Sequence, residues 1–303
     1  MRKSQSPEMV AIVRNSRRFE RHAQSYFSNG YASIEAFLAE TAGAAQEFFE
    51  PGHSGSAARR EVPATQKERR HGKRGLMRWL LLTAGHQPID YFEFGVMSCR
   101  TFNRVVEWTP NRDARFYGFD TFEGLPEPWV KKSGRGLSLG RSAGDLSPES
   151  RPAVYDDRAV LFKGLFQDTL PDALLQAFPA GRQPGRTLLL NIDSDLYTSA
   201  LYVLTSMHPL LRTGDYVYFD EFFDTLNEFA AFNDYVRAYN TKSWFTPVAR
   251  SYDGMLFRLD LPASDKHSVE VIDRRTTHFL DRMRAYARAR ISLLSSSAAP
   301  NSD

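Results

Sequence analysis

Two short apolar runs in the second half of the chain, Leu188-Leu189-Leu190-Asn191-Ile192 and Tyr216-Val217-Tyr218-Phe219, each stop on carboxylates. Asp193-Ser194-Asp195 follows the first and Asp220-Glu221 follows the second. Runs of this length, rich in β-formers, read as strands buried on both faces, the mark of a parallel sheet. In an open α/β sheet, ligands sit beyond the carboxyl ends of the strands. Four acids gathered there repel one another unless a divalent cation or a protonation event resolves the conflict. A single Asp after a strand is commonly a helix N-cap. A pair of pairs, each directly after a buried run, favours a metal site.

The same rhythm extends along the chain. Strand patterns fall at 89–94, 115–119, 159–162, 187–192 and 215–219, with later ones near 245–249 and 254–259. Helical spacing recurs between them, as in Leu201, Leu204, Met207 and Leu211, closed by Gly214. Alternating strands and helices predict βαβ crossovers. The expected fold is therefore α/β: a doubly wound, mostly parallel, Rossmann-like sheet of seven strands ending in an antiparallel hairpin.

Additions flank this domain of residues 86–262. Over the first 85 residues, Phe27, Tyr31, Ile34, Phe37, Leu38 and Phe48 have the spacing of amphipathic helices, a possible lid or oligomer interface. Residues 51–75 are poor in apolar side chains and rich in Gly, Ser, Arg and Lys. They read as a flexible basic linker whose Arg69-Arg70-His71-Gly72-Lys73-Arg74 run is solvated, with a helix at 76–85 leading into the sheet. Residues 126–156 have no clear period and read as a long loop, either functional, such as a lid, or disordered. Beyond 262, Val271, Phe279, Leu280, Met283, Tyr286 and Ile291 predict a C-terminal helix before a disordered tail.

A formal net charge of +3 over 303 residues gives no strong field for nucleic acid or membrane, and neither is an expected partner. The single cysteine, Cys99, excludes internal disulfides and a cysteine-based zinc cage. Neither an apolar leader nor a stretch of transmembrane length is visible, so the expectation is cytoplasmic.

At the first strand, Glu93-Phe94-Gly95-Val96 places a glycine where the backbone can turn tightly and approach a ligand. The second strand ends in Gly118-Phe119-Asp120-Thr121, an acid about 25 residues after Gly95, the separation at which α/β nucleotide folds meet a ribose. Cys99 and Arg100 stand where a dinucleotide fingerprint needs its last glycine. A ribose without pyrophosphate fits better, and S-adenosylmethionine is the candidate; a structural turn is the alternative. After the third strand, Gly164 lets the chain lie against a flat ring and Phe166 could flank adenine. Asp168 and Thr169 read as caps of a helix. His208 reads as packing and His278 as unassigned. Trp129 and Tyr197 could line an acceptor pocket.

In one order, the segments Phe92 through Val96, Gly118 through Pro126, Gly164 through Pro171, Asp193-Ser194-Asp195-Leu196-Tyr197-Thr198-Ser199 and Phe219 through Phe222 resemble the macrocin O-methyltransferase family. The resemblance covers about residues 86 to 240. It implies a class I methyltransferase fold, S-adenosylmethionine as donor, Mg²⁺ dependence and a hydroxyl acceptor, a sugar on a natural product by family analogy. Carried over, it makes Asp193, Asp220 and Glu221 the metal ligands and Asp195 the general base. Glu93, Gly95, Val96, Asp120, Thr121, Gly164, Phe166 and Asp193 would frame the donor. Glu221 stands where Asp is usual, which lengthens one ligand arm.

The chemistry suits such residues. An alcohol is less acidic than a carboxylic acid by on the order of 8 pKa units, so Asp195 alone is a poor base for it. A cation that stabilises the oxyanion closes much of that gap. Two other functions compete: a metal-dependent glycosyltransferase using the Asp-x-Asp pair, and a non-catalytic protein that binds S-adenosylmethionine. The late position of the pair and the company of Asp220 and Glu221 argue against the first. The intact set of mutually repelling acids argues against the second.

Overall fold

The computed structural model describes residues 30–41, 46–47, 66–84, 87–133, 136–150, 152–251 and 253–262. Helix α1 (Ile34–Glu40), a two-residue strand β1 (Gln46–Glu47) and the long helix α2 (Gln66–Ala84) come first. The chain then runs β2 (Ile89–Phe94), α3 (Arg100–Trp108), β3 (Arg115–Asp120) and a hairpin of β4 (Trp129–Ser133) and β5 (Gly136–Arg141). Next are β6 (Ala159–Lys163), α4 (Phe166–Ala177), β7 (Thr187–Ile192) and α5 (Tyr197–Met207). The last elements are β8 (Tyr216–Phe219), α6 (Glu228–Ala238), β9 (Phe245–Arg250) and β10 (Met255–Leu259).

The main sheet has the order β1-β9-β10-β8-β7-β2-β3-β6. Strands β6, β3, β2, β7 and β8 are parallel, and β10 is antiparallel to both β8 and β9. All seven expected strands are present, and β1 extends the edge beside β9. From β2 the chain winds outward through β3 and β6, then returns to place β7 on the other side of β2. The gap between β2 and β7 is thus the point where winding reverses, the usual place for a ligand in such a sheet.

Side chains alternate across the strands and divide the core in two. On one face Phe92, Phe94, Leu188, Leu190, Ile192, Val217 and Phe219 pack against α4, α5, α6 and α1. On the other, Tyr91, Phe116, Leu189 and Tyr218 meet α2 and α3 through Leu76, Met77, Leu80 and Phe102. Burying a large side chain in either layer contributes about 1.5–3 kcal/mol.

Three expectations change. Helix α2 begins at Gln66, ten residues before the expected 76, so the last part of the supposed linker is helical. Lys73 lies buried within it and is not solvated. The stretch 126–156, read as a loop, contains the antiparallel hairpin of β4 and β5. Residues 1–29, 42–45, 48–65 and 263–303 lie outside the described residues, and with them Phe27, Phe48, the 51–65 part of the linker, the C-terminal helix and His278. Among the described residues no helix is long and apolar enough to cross a membrane.

Candidate active site

A cavity of about 450 Å³ opens at the carboxyl edge of the sheet, over the gap between β2 and β7. Its wall brings together Gly95, Asp120, Thr121, Gly164, Phe166, Asp193 and Asp195 of the predicted set. Gly95 has φ +99°, and a Cβ there would stand 1.9 Å from the Asp193 carbonyl oxygen, so only glycine fits. Cys99, at the start of α3, takes φ +55°, making with a side chain the left-handed backbone that the absent glycine would make.

Asp120 is fixed from both sides of the cavity mouth. Its Oδ2 accepts from the Met97 N–H and its Oδ1 from the Phe122 N–H, both at 2.7 Å. Burial raises its pKa, with the two amides opposing the shift. Thr121 Oγ1 donates to the Gly124 carbonyl at 2.7 Å and so shapes the turn beneath it. Val96 is packed in the α2–α3 layer, and Glu93, also buried, lies on the same face; neither reaches the cavity wall.

The acids are disposed by strand parity. Glu93, Asn191, Asp193, Tyr218 and Asp220 fall on the side of the sheet that α2 covers. There the Lys73 ammonium contacts Asp193 Oδ2 and lies 3.2 Å from Asp220 Oδ1. Tyr91 OH donates to Glu93 Oε2 at 2.5 Å and accepts from Asn191 Nδ2 at 3.0 Å. Tyr218 OH donates to Asp220 Oδ1 at 2.9 Å.

Asp195 and Glu221 keep different company. Lys131 of the β4–β5 hairpin lies 3.3 Å from Glu221 Oε2, with its ammonium 3.5 Å above the Trp129 ring. The hairpin is pinned by Trp129 Nε1 donating to Asp224 at 3.0 Å and Asn227 Nδ2 donating to the Val130 carbonyl at 2.8 Å. Asp195 itself has φ +60°, and the Leu196 N–H closes onto the Ser194 carbonyl at 2.7 Å. A three-residue turn with a positive central φ is strained, costing on the order of 1–3 kcal/mol.

The expected ligands Asp193, Asp220 and Glu221 therefore do not gather on one point. Among the described residues no group of three or more His, Cys, Asp or Glu is arranged to hold a metal. Besides Lys131, two residues given no site role in the sequence reading organise the acids instead. Lys73 is one. The other is Glu228, fully buried at the start of α6, which accepts from the Ser194 N–H at 3.3 Å and the Glu221 N–H at 2.9 Å. A position after a loop gives no sign of that role, whereas Lys73 lies one turn before Leu76 and Met77 on the apolar stripe of α2.

The electrostatics follow from crowding. Burial raises Asp195 to about 8, reinforced by Glu221 and Asp220 and opposed by Lys131 and Lys73. Glu221 is raised to about 7 by burial, with Lys131 opposing. Glu93 is likewise raised to about 7 by burial, against Lys73 and the Tyr91 hydroxyl. Burial and Asp220 push Asp193 up. Burial would also raise Asp220, but Lys73 and the Tyr218 hydroxyl outweigh it and hold Asp220 low. Burial alone would lower the Lys73 pKa; Asp193, Asp220 and Glu93 reverse the sign and keep it an ammonium.

Other candidates settle into structure. His208 Nδ1 meets Tyr235 OH at 2.7 Å and its ring stacks on Trp244. Tyr197 OH donates to Asp234 at 3.1 Å.

A doubly wound sheet with one antiparallel late strand, a glycine turn and an acid at the mouth of a cavity over its switch point has the class I methyltransferase architecture. The chain matches the Macrocin-O-methyltransferase (TylF) family over residues 88–251 and belongs to that family. It is 29% identical over 148 residues to 8-demethyl-8-(2,3-dimethoxy-alpha-L-rhamnosyl)-tetracenomycin-C 4'-O-methyltransferase of Streptomyces olivaceus, covering 45% of this chain and 53% of that protein. It is 26% identical over 150 residues to demethyldecarbamoylnovobiocin O-methyltransferase of Streptomyces niveus, with the same two coverages, 45% and 53%. The chain thus spans about half the length of the curated relatives it matches. Among solved structures, the calicheamicin methyltransferase CalS11 is similar at 19% identity and a TM-score of 0.49, covering 84% of this chain and 94% of that one.

Proposed function

We propose that this chain transfers a methyl group from S-adenosylmethionine to a hydroxyl of a small acceptor, a sugar or glycoside. The observation that carries the reading is a single cavity lined both by Gly95, Asp120, Gly164 and Phe166 and by Asp193 and Asp195, in a chain of this family. A volume of about 450 Å³ is within the range of small-molecule sites. Ser194 Oγ is buried without a hydrogen-bond partner on the same wall, a polar atom that a ligand can satisfy. The rhamnosyl compound in one relative's name supports a sugar hydroxyl as acceptor.

S-adenosylmethionine supplies an electrophilic methyl on a sulfonium. The chain does the rest by binding and proton management. Asp120 offers its remaining lone pairs to ribose hydroxyls, and Gly95 admits the ligand close to the backbone. Asp195 takes the acceptor's proton as the acceptor oxygen bonds to the methyl carbon, while the methyl–sulfur bond breaks and its electron pair leaves with S-adenosylhomocysteine. Raised to about 8, Asp195 has a greater affinity for the proton than an ordinary carboxylate and acts as base in its ionised form, which fills as pH rises toward 8. Holding donor and acceptor in line accounts for much of the remaining barrier reduction.

Mg²⁺, implied by the family resemblance, does not fit the acids as arranged. Asp193 and Asp220 share an ammonium, and Glu221 is turned to Lys131. No step of the proposed reaction passes through a metal.

Thermal-shift and calorimetric titrations with S-adenosylhomocysteine test the reading. Stabilisation by S-adenosylhomocysteine and none by uridine diphosphate is expected; the reverse pattern would favour a glycosyltransferase and sink the methyltransferase reading.

A further inference from the structure

The acidic edge already contains a cation, and it belongs to the chain. We propose that Lys73 is the resident cation of this site, holding between Asp193 and Asp220 the place a divalent metal would take, so that turnover needs no divalent ion. The second half of that statement rests on the methyltransferase reading; the first concerns the folded chain alone.

Four observations support it. The Lys73 ammonium touches Asp193 and lies 3.2 Å from Asp220, with only 10% of its side chain exposed. An Mg²⁺ ion on the same oxygens would bind them at about 2.0–2.1 Å, crowding a like charge that has nowhere to disperse. Lys73 is also held from behind. Leu76, Met77 and Leu80 of α2 are buried in the core, so the helix that carries the lysine is anchored over the acids. Finally, the third expected ligand, Glu221, has its own partner in Lys131. Glu93, Asp195 and Glu228 also face this region, and all are acidic, so the site needs a cation from some source. Helix α2 provides one.

A lysine differs from a metal in what it offers. It is a single charge with three N–H donors on a tether, whereas a divalent ion carries two charges and exchangeable waters. Lys73 can therefore neutralise and orient Asp193 and Asp220 while leaving Asp195 free to take a proton. It cannot chelate two acceptor hydroxyls. The acceptor has to be oriented by cavity side chains, and the chain should be indifferent to chelators.

Mn²⁺ binding to the full chain, followed by electron paramagnetic resonance, tests the proposal without any acceptor. The wild type should bind no Mn²⁺ at this site, with or without S-adenosylhomocysteine. Lys73→Met should empty the position: Mn²⁺ affinity should rise by roughly tenfold or more, and Mn²⁺ should raise the variant's melting temperature but not the wild type's. Lys73→Arg should keep the wild-type pattern. Stoichiometric Mn²⁺ on the wild type that disappears in Asp193→Asn would overturn the proposal, as would a folded Lys73→Met that gains no Mn²⁺. If Lys73→Met does not fold, the wild-type titration decides alone. S-adenosylhomocysteine binding measured on the same samples separates the two readings. Its absence would sink the methyltransferase assignment and leave the Lys73 result standing.

Discussion

The two ends of the sheet treat charge in opposite ways. At the amino end, among the described residues, the buried acids Asp90 and Asp215 each have an arginine shaped to them. Asp90 receives Arg186 Nε at 3.0–3.1 Å and Nη2 at 2.5 Å. Asp215 receives Arg182 Nη1 at 2.5 Å and Nη2 at 2.9 Å, with the Leu188 and Arg212 N–H groups completing its shell. At the carboxyl end, Glu93, Asp193, Asp195, Asp220, Glu221 and Glu228 crowd around two lysines, Lys73 and Lys131. Fork-shaped pairs, two guanidinium nitrogens to each carboxylate, hold strands in place. An excess of acid over cation leaves protons poised to move. Structure lives at one end and chemistry at the other.

Removing one acid from each end should separate these roles most sharply. Asp195→Asn should slow single-turnover methyl transfer by about 10²–10⁴-fold, the usual worth of a general base, while S-adenosylhomocysteine binding persists. A rate within a few fold of wild type would strip Asp195 of its role. Asp215→Asn should do the converse. Breaking a buried pair leaves Arg182 uncompensated and costs about 3–5 kcal/mol, or roughly 10 °C in melting temperature for a domain of this size. At pH 8.5, where Asp195 is charged, Asp195→Asn should hold or raise the melting temperature, because it relieves repulsion from Glu221 and Asp220. Equal losses of stability at both ends would erase the contrast.

Gly95→Ala is expected to have a smaller effect, of about 1–3 kcal/mol, from a strained positive φ and the approach to the Asp193 carbonyl. It should also weaken S-adenosylhomocysteine binding by calorimetry; unchanged affinity would remove Gly95 from the donor site. The mildest test is pH. Glu93, Asp195 and Glu221 are raised to about 7, 8 and 7 in the fold, well above their unfolded values near 4. Between those limits the folded chain holds protons that the unfolded chain releases, so these groups make stability fall as pH rises from about 4 to about 8. The melting temperature should be higher at pH 6 than at pH 8.5, and Asp195→Asn should flatten that slope. A wild-type midpoint that climbs with pH would mean the acids are ionised and well paired.

Most of the sheet was legible because buried parallel strands are apolar on both sides. The runs at 89–94 and 187–192 coincide with β2 and β7 to the residue. The cavity-facing Gly95, Asp120, Gly164 and Asp195 were legible for the same reason, since each follows directly on such a run or its turn. What escaped depends on tertiary partners. Basic composition suggested that Lys73 was solvated, although its place on the stripe with Leu76, Met77 and Leu80 put it in the core. The hairpin of β4 and β5 escaped because Lys131 and Lys132 interrupt any apolar alternation, and it is secured by distant side chains at Asp224 and Asn227. Two residues, as in β1, are too few for a pattern. The acids stand where their apolar runs end, but their division between two lysines depends on parity across three strands and on a helix read as starting too late.

The contact between Gly95 and the Asp193 carbonyl has one more consequence. With no space between them for even a methyl group, the glycine turn after β2 and the turn that bears the acids are one mechanical piece. Neither can shift alone as reactants come and go. A displacement at either turn is therefore handed on to the other across this one contact, which makes the cavity floor a single rigid plate.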